Sequence, residues 1–181
     1  MSTTPKSQRS PTNLEADHHF FALRDSITQL MLLDFGFSEE KYQKQIERYR
    51  EKHKSAVNVD EVVERYKRKC EAFKAWFIPA EREAIENMLR TVSVEFTMAN
   101  SIFPSETAAK VTEYCQRRKH LNEAIAMCYA IKQEIQYVIR SLPVDLNKYK
   151  AYDKAIKKQI ALYKGIRRAD NRFLRVKNKK G

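Results

Sequence analysis

The sequence predicts an all-α protein, an antiparallel up-down four-helix bundle with an additional N-terminal helical segment, and three observations carry this expectation. The 181 residues include only 3 Gly and 5 Pro, too little turn punctuation for a sheet protein. Apolar residues recur every three or four positions over long runs, the period of an amphipathic helix. Hydrophobic residues make up 43% and charged residues 32%, enough for a core surrounded by much exposed helix surface.

The elements follow in order. Residues 1–14 are rich in Ser, Thr, Pro and Lys with nothing to bury, and are expected to be a disordered tail. From Asp17 the pattern turns helical: Phe20, Ile27, Leu30, Met31 and Phe35 keep helical spacing until Gly36 stops the run. Ser38 then reads as an N-cap, followed by Glu39 and Glu40 at the positive end of the helix dipole. Phe37 and Tyr42 stand where a hydrophobic staple would. The stripe Tyr42, Ile46, Tyr49 and His53 belongs to this helix. Residues 15–55 are thus expected to form an N-terminal helical extension.

A bundle is expected over 56–168. Asn58 or Asp60 starts a helix with the stripe Val63, Tyr66, Cys70, Phe73 and Phe77. Because Ser55 to Val59 holds no Gly or Pro, this helix and the preceding one also read as one long run. Pro79 is expected to end it and to open the next, since a residue before proline avoids the α region and proline suits a first turn. The next stripe is Ile85, Met88, Leu89, Val92, Phe96, Ala99 and Phe103, closed by Pro104, with Ser105 as the following cap. Glu106 to Ser141 is the longest run, apolar at Val111, Tyr114, Leu121, Ile125, Cys128, Ile135 and Val138. Pro143 breaks it, and Asp145 or Asn147 caps a last helix with Tyr149, Tyr152, Ile156, Ile160 and Tyr163 inward. Gly165 is expected near its end, and 169–181 reads as a basic tail. No internal repeat is present.

Met1 to Asn13 has no apolar stretch of the kind a signal peptide needs, and no apolar run reaches bilayer-spanning length. Cys70, Cys115 and Cys128 are odd in number and far apart, which argues for buried free thiols in a reducing compartment rather than a disulfide framework or a zinc site. A cytoplasmic location is the resulting expectation, with no membrane contact.

Charge distribution points to function. The formal net charge is +12, a field that attracts polyanions. Residues 146–181 hold 13 of the 35 basic residues but only Asp153 and Asp170 of the 23 acidic ones, so nearly all the net charge belongs to the last helix and tail. Lys150, Lys154 and Lys158 are four apart and stack on one helix face. The expected nucleic-acid-binding residues are Lys150, Lys154, Lys157, Lys158, Lys164, Arg167, Arg168, Arg172 and Arg175, with Arg117, Arg118 and Lys119 as a second patch. Tyr149, Tyr152 and Tyr163 follow core spacing, which leaves Phe173 as the stacking candidate among these cations.

Catalytic signals are sparse. There is no Gly-rich phosphate loop, and His18, His19, His53 and His120 pair with no Cys or Asp at metal-ligand spacing; no cofactor and no metal are expected. Arg48 and His53 fit the Arg-x4-His spacing of helical HEPN ribonucleases, in which Arg and His act on the RNA backbone. Packing or a helix C-terminus is the plainer account of a histidine that continues an apolar stripe. Glu81, Glu83 and Glu86 are explained by a helix start, and Trp76 beside Pro79 by a plug at a bundle end. The alternative readings are therefore a ribonuclease using Arg48 and His53, or a protein scaffold whose basic surface docks an acidic protein.

Residues 73–170 resemble the accessory variability determinant family of diversity-generating retroelements and the related four-helix proteins encoded in ribosomal RNA intervening sequences. The resemblance lies in FKAWFIPAERE, VEFTMANSIFP, RRKHLNEAIAMCYAIKQEIQYVI and LPVDLNKYKAYDKAIKKQIALYKGIRRADNR, taken in that order. Ile166 stands where the family has Trp after Gly165. The resemblance implies a homo-oligomer, pentameric in the family, that binds a reverse transcriptase and its template RNA without catalysis of its own.

Overall fold

The computed structural model describes residues 11–104 and 110–175, with side chains as far as Asn171. The protein is an all-α bundle. Its first helix, α1 (Asn13–Leu32), starts four residues before the expected Asp17, because Thr12 caps it: the Thr12 hydroxyl accepts from the Glu15 amide at 3.0 Å. Ala16, Phe20, Leu23, Ile27, Leu30 and Met31 are buried along one side of this helix. Asn13 and Leu14, expected in the tail, are helical; residues 1–10 of that tail lie outside the described residues.

A 3-10 turn (Asp34–Gly36) reverses the chain. Asp34, Phe35 and Gly36 all have positive φ, at 49°, 56° and 67°, a conformation that costs a bulky L residue such as Phe. Two contacts hold it. Phe35 is fully buried and its carbonyl accepts from the Tyr149 hydroxyl. Arg82 donates from Nε to the Met31 carbonyl at 2.9 Å, covering a carbonyl that the helix end leaves open, and from Nη2 to the Asp34 carboxylate.

Helix α2 (Glu39–Lys52) begins as expected at Ser38, whose hydroxyl accepts from the Lys41 amide at 3.4 Å. It ends at His53. Helix α3 (Val59–Ser101) is 43 residues long, roughly 64 Å, and continues without a break through Pro79. This corrects the expected break. Pro79 lies on the exposed side, where water can take the carbonyl hydrogen bond that proline leaves unmade. Phe77 and Ile78 just before it and Ile85 after it are buried in the same core, so packing on both flanks holds the helical register against a local cost of about 3 kcal/mol. Helix α4 (Lys110–Ser141) and helix α5 (Leu146–Arg175) complete the chain. Ser105 and Glu106, the expected cap and helix start, lie outside the described residues.

The bundle is α1, the C-terminal half of α3, α4 and α5, sharing one core. Neighbours run antiparallel. Arg24 meets Glu86 and Asn13 lies with Ala99 around Arg117; Glu95 meets His120 and Phe77 meets Tyr137; Lys132 meets Asp153. The number of bundle helices is as expected, but their identity is not. The 15–55 segment is no separate extension, because its first half, α1, buries six residues in the main core. The 56–168 segment is no self-contained bundle, because the unbroken α3 cannot fold back at Pro79. The appended piece is instead α2 against the N-terminal half of α3, with its own small core of Tyr42, Ile46 and Val63. It is pinned to the bundle by the Ser38 amide donating to the Pro143 carbonyl at 2.9 Å and Lys41 Nζ donating to the Val144 carbonyl at 2.9 Å.

Gly165 does not end α5, which continues to Arg175 and so absorbs the start of the expected 169–181 tail. Its role is close approach: a Cβ built there would fall 2.4 Å from Cγ of Pro11. Cys128 is buried, with desolvation pushing its thiol up to about 12, Cys70 is half-buried, and Cys115 is exposed, contrary to the expectation that the cysteines are buried. Among the described residues no helix is long and apolar enough to cross a membrane.

Candidate nucleic-acid interface

Helix α5 sets the geometry. Tyr149, Ile156, Gln159, Ile160, Tyr163 and Ile166 face the core. That phase leaves Lys150, Lys154, Lys158 and Arg168 exposed. The row from Lys150 to Arg168 spans 18 residues, roughly 27 Å. Gln159 is the polar member of the inward face. Its Nε2 donates to the Ala16 carbonyl at 3.1 Å and its Oε1 accepts from His19 Nδ1 at 2.6 Å, so α5 is locked in rotation against α1.

The two carboxylates of α5 are both committed. Asp153 accepts from Lys157 at 2.6 Å and from Lys132 of α4 at 3.0 Å, and these two ammonium groups hold its carboxyl below the usual range. Asp170 pairs with Arg117. Lys150, Lys154, Lys158 and Arg168 form no ion pair with a carboxylate among the described residues; the one recorded partner in this row is the Lys164 carbonyl, which accepts from Arg168 Nε at 3.3 Å. Three further expected residues are tethered at the edge of the row. Lys157 keeps its exposed ammonium on Asp153, Lys164 donates to the Tyr129 hydroxyl at 2.8 Å, and Arg167 donates to Asn122 at 2.6 Å. The side chains of Arg172, Arg175 and Phe173 lie outside the described residues.

The second expected patch divides. Lys119 is exposed, and Arg118 is exposed with one donor on Asn171 at 3.3 Å. Arg117 is not a surface residue. It is buried, donating to Asp170 at 2.9 Å, to the Ala99 carbonyl at 2.6 Å and to Asn13 at 3.4 Å. The sequence held the signal: Tyr114, Arg117 and Leu121 follow the i, i+3, i+7 spacing of the apolar stripe of α4, which places Arg117 on the inward side and Arg118 outside.

Arg48 and His53 stand on the α2 arm. Arg48 is exposed. His53 occupies the C-cap of α2, with Nδ1 donating to the Tyr49 carbonyl at 2.9 Å and the ring stacked 4.1 Å from Tyr49. The ring therefore terminates the helix and extends the Tyr49–Tyr66 stack. His120 pairs with Glu95 at 2.7 Å, and no group of three metal-ligating side chains is found among the described residues.

Trp76, expected as a buried plug, is 65% exposed. The buried stripe passes through Phe77, one position away, and a single step around the helix turns Trp76 outward. It sits beside Phe73, which is 38% exposed, while Tyr137 of α4, 50% exposed, meets Phe77.

The chain matches no family model, and no curated protein or solved structure is significantly similar to it.

Proposed function

We propose that this protein is a basic helical accessory factor that grips the phosphate backbone of RNA along α5. One observation carries the reading: the row Lys150, Lys154, Lys158 and Arg168 faces outward without a carboxylate partner among the described residues, while both acids of the helix are occupied. Lysines at i, i+4 and i+8 repel one another and weaken an isolated helix; a bound polyanion reverses that cost. Contacts of this kind position a backbone without reading its sequence. The resemblance to the accessory variability determinant family extends the proposal to a reverse transcriptase as partner, its template RNA as ligand and a homo-oligomer as the working form.

The test is charge reversal on the exposed row. Lys154→Glu, Lys158→Glu and Arg168→Glu together are expected to abolish RNA binding in a filter assay, with helicity by circular dichroism unchanged. Full retention of binding by this triple variant would eliminate α5 as the RNA surface. Absence of RNA affinity in the parent protein at moderate salt, together with firm binding to an acidic protein, would favour the scaffold reading instead.

A further inference from the structure

We propose that the outer face of α3 around Trp76 pairs with the same face of a second copy of this chain, the two α3 helices lying antiparallel about a two-fold axis at Trp76. Phe73, Trp76, Phe77 and Ala80 form an apolar row at i, i+3, i+4 and i+7. Phe77 is 1% exposed and roots the row in the core, stacking on Phe73 at 4.9 Å and meeting Tyr137 of α4 edge-on at 5.4 Å. Trp76 and Tyr137 keep half or more of their surface in water. Large aromatics left this open and grouped mark a binding surface. Helix α2 packs on Val63, Tyr66 and Cys70, which lie on a different side of α3, so it does not cover the row.

Charge selects the second copy. Lys69 and Glu83 stand seven residues before and after Trp76, each roughly 10 Å away along the helix. Both are exposed, and neither forms an ion pair among the described residues. Rotation about a two-fold at Trp76 sets Lys69 of each copy against Glu83 of the other. Because α4 runs antiparallel to α3 with Tyr137 beside Phe77, the exposed Arg140 falls at the Lys69 end and the half-buried Glu134 at the Glu83 end. The face is therefore cationic at one end, apolar in the middle and acidic at the other, the pattern that an isologous contact requires. The same rotation brings no like charges together: Ala72 comes against Ala80, Phe73 against Pro79, and Arg65 against Asn87. The small Ala72 and Ala80, one turn to either side of Trp76, leave room for the indole of the second copy. A polyanion would meet Glu83 and Glu134 and matches only half of this face. The pairing does not depend on the α5 row, and it goes beyond the homo-oligomer that the family resemblance implies, because a two-fold contact closes on two copies rather than on a ring.

Trp76 is the single tryptophan of the chain, so its emission reports on this face alone. The full-length protein, without RNA, is followed by sedimentation velocity and by tryptophan emission as its concentration rises. The parent is expected to pair, with the emission moving to shorter wavelength as Trp76 leaves water. Lys69→Glu sets carboxylate against carboxylate at both ends of the pair, and Glu83→Lys sets ammonium against ammonium; each alone is expected to weaken pairing about tenfold or more. An equimolar mixture of these two variants regains both attractive contacts if the helices are antiparallel, and is expected to pair as the parent does. Both positions are exposed, so circular dichroism should show unchanged helicity. A parent that neither gains mass nor shifts its emission overturns the proposal. So does association that leaves Trp76 emission unchanged, because it uses another face. Single variants that pair as the parent does, or a mixture that stays apart, overturn the antiparallel pairing. None of these outcomes touches the α5 reading, whose charge-reversal test measures RNA binding and not self-association.

Discussion

Arg117 Nε lies 2.9 Å from a carboxylate oxygen of Asp170, and the pair is almost sealed from water, with side chains 9% and 15% exposed. The same guanidinium reaches the Ala99 carbonyl at the end of α3 and Asn13 at the start of α1. One side chain therefore ties together all four bundle helices at one end. It also spends one of the two carboxylates of α5 on the bundle, leaving Lys150, Lys154, Lys158 and Arg168 without a carboxylate partner among the described residues.

Arg117→Ala is expected to destabilise the protein by about 3–5 kcal/mol, because it strands Asp170 and removes the donor to Ala99. Urea denaturation measures the loss. RNA affinity, assayed well below the unfolding midpoint, should stay near that of the parent, which separates this arginine from its exposed neighbour Arg118.

Salt dependence counts the phosphates. If the four exposed cations of the α5 row each neutralise one phosphate, log K against log salt for a single strand should fall with a slope of about −3. Lys154→Ala should reduce that slope by about 0.7 and weaken binding to all sequences alike. A slope near zero would show that the row does not carry the affinity.

Gly165 and Pro11 make a testable pair. A methyl at 165 falls on the ring carbons of Pro11, so Gly165→Ala should destabilise by about 1–3 kcal/mol through overpacking. Pro11→Ala removes the two nearest ring atoms. In that background Gly165→Ala should instead gain roughly 0.5–1 kcal/mol, the helix preference of Ala over Gly. A double-mutant cycle by thermal denaturation reads the change of sign.

Glu81 is buried opposite Glu134 across the α3–α4 seam, with Oε2 unpartnered among the described residues. Burial first, and the facing Glu134 second, push its carboxyl above the ordinary value of 4.5. A raised folded-state value means that the protonated acid is favoured by folding. Its contribution is present below the unfolded value and is lost as pH rises through the raised one. Glu81→Gln should therefore stabilise the protein above that window by about 1 kcal/mol, or roughly 2–4 °C in Tm. The parent and variant Tm curves should converge toward acid pH.

Pro79→Ala restores an amide donor on the exposed side of α3. It should raise stability by up to about 3 kcal/mol without changing the α3 register, measured by urea denaturation and circular dichroism.

Local pattern carried much of the molecule. The stripe Tyr149, Ile156, Ile160 and Tyr163 is buried as its spacing requires, and Ser38 caps α2 as its position before two glutamates implies. Those features depend on a few neighbouring residues and on helix geometry alone. The exposed phase of Lys150, Lys154 and Lys158 follows from the same stripe. Arg117 and Trp76 were legible in principle, since each is decided by a one-position step in helical phase, but composition and charge clustering draw the reading away from them.

By itself the sequence determined the all-α class, the Ser38 cap of α2 and the side of α5 that carries its lysines, because each is a short-range consequence of period and backbone chemistry. Only the tertiary structure decided which helices form the bundle, that α3 passes through Pro79, that Gly165 seats Pro11 and that Arg117 takes Asp170. Each of these is a contest between a local preference and contacts made by residues distant in the chain, and here the burial of shared apolar surface outweighs the local cost.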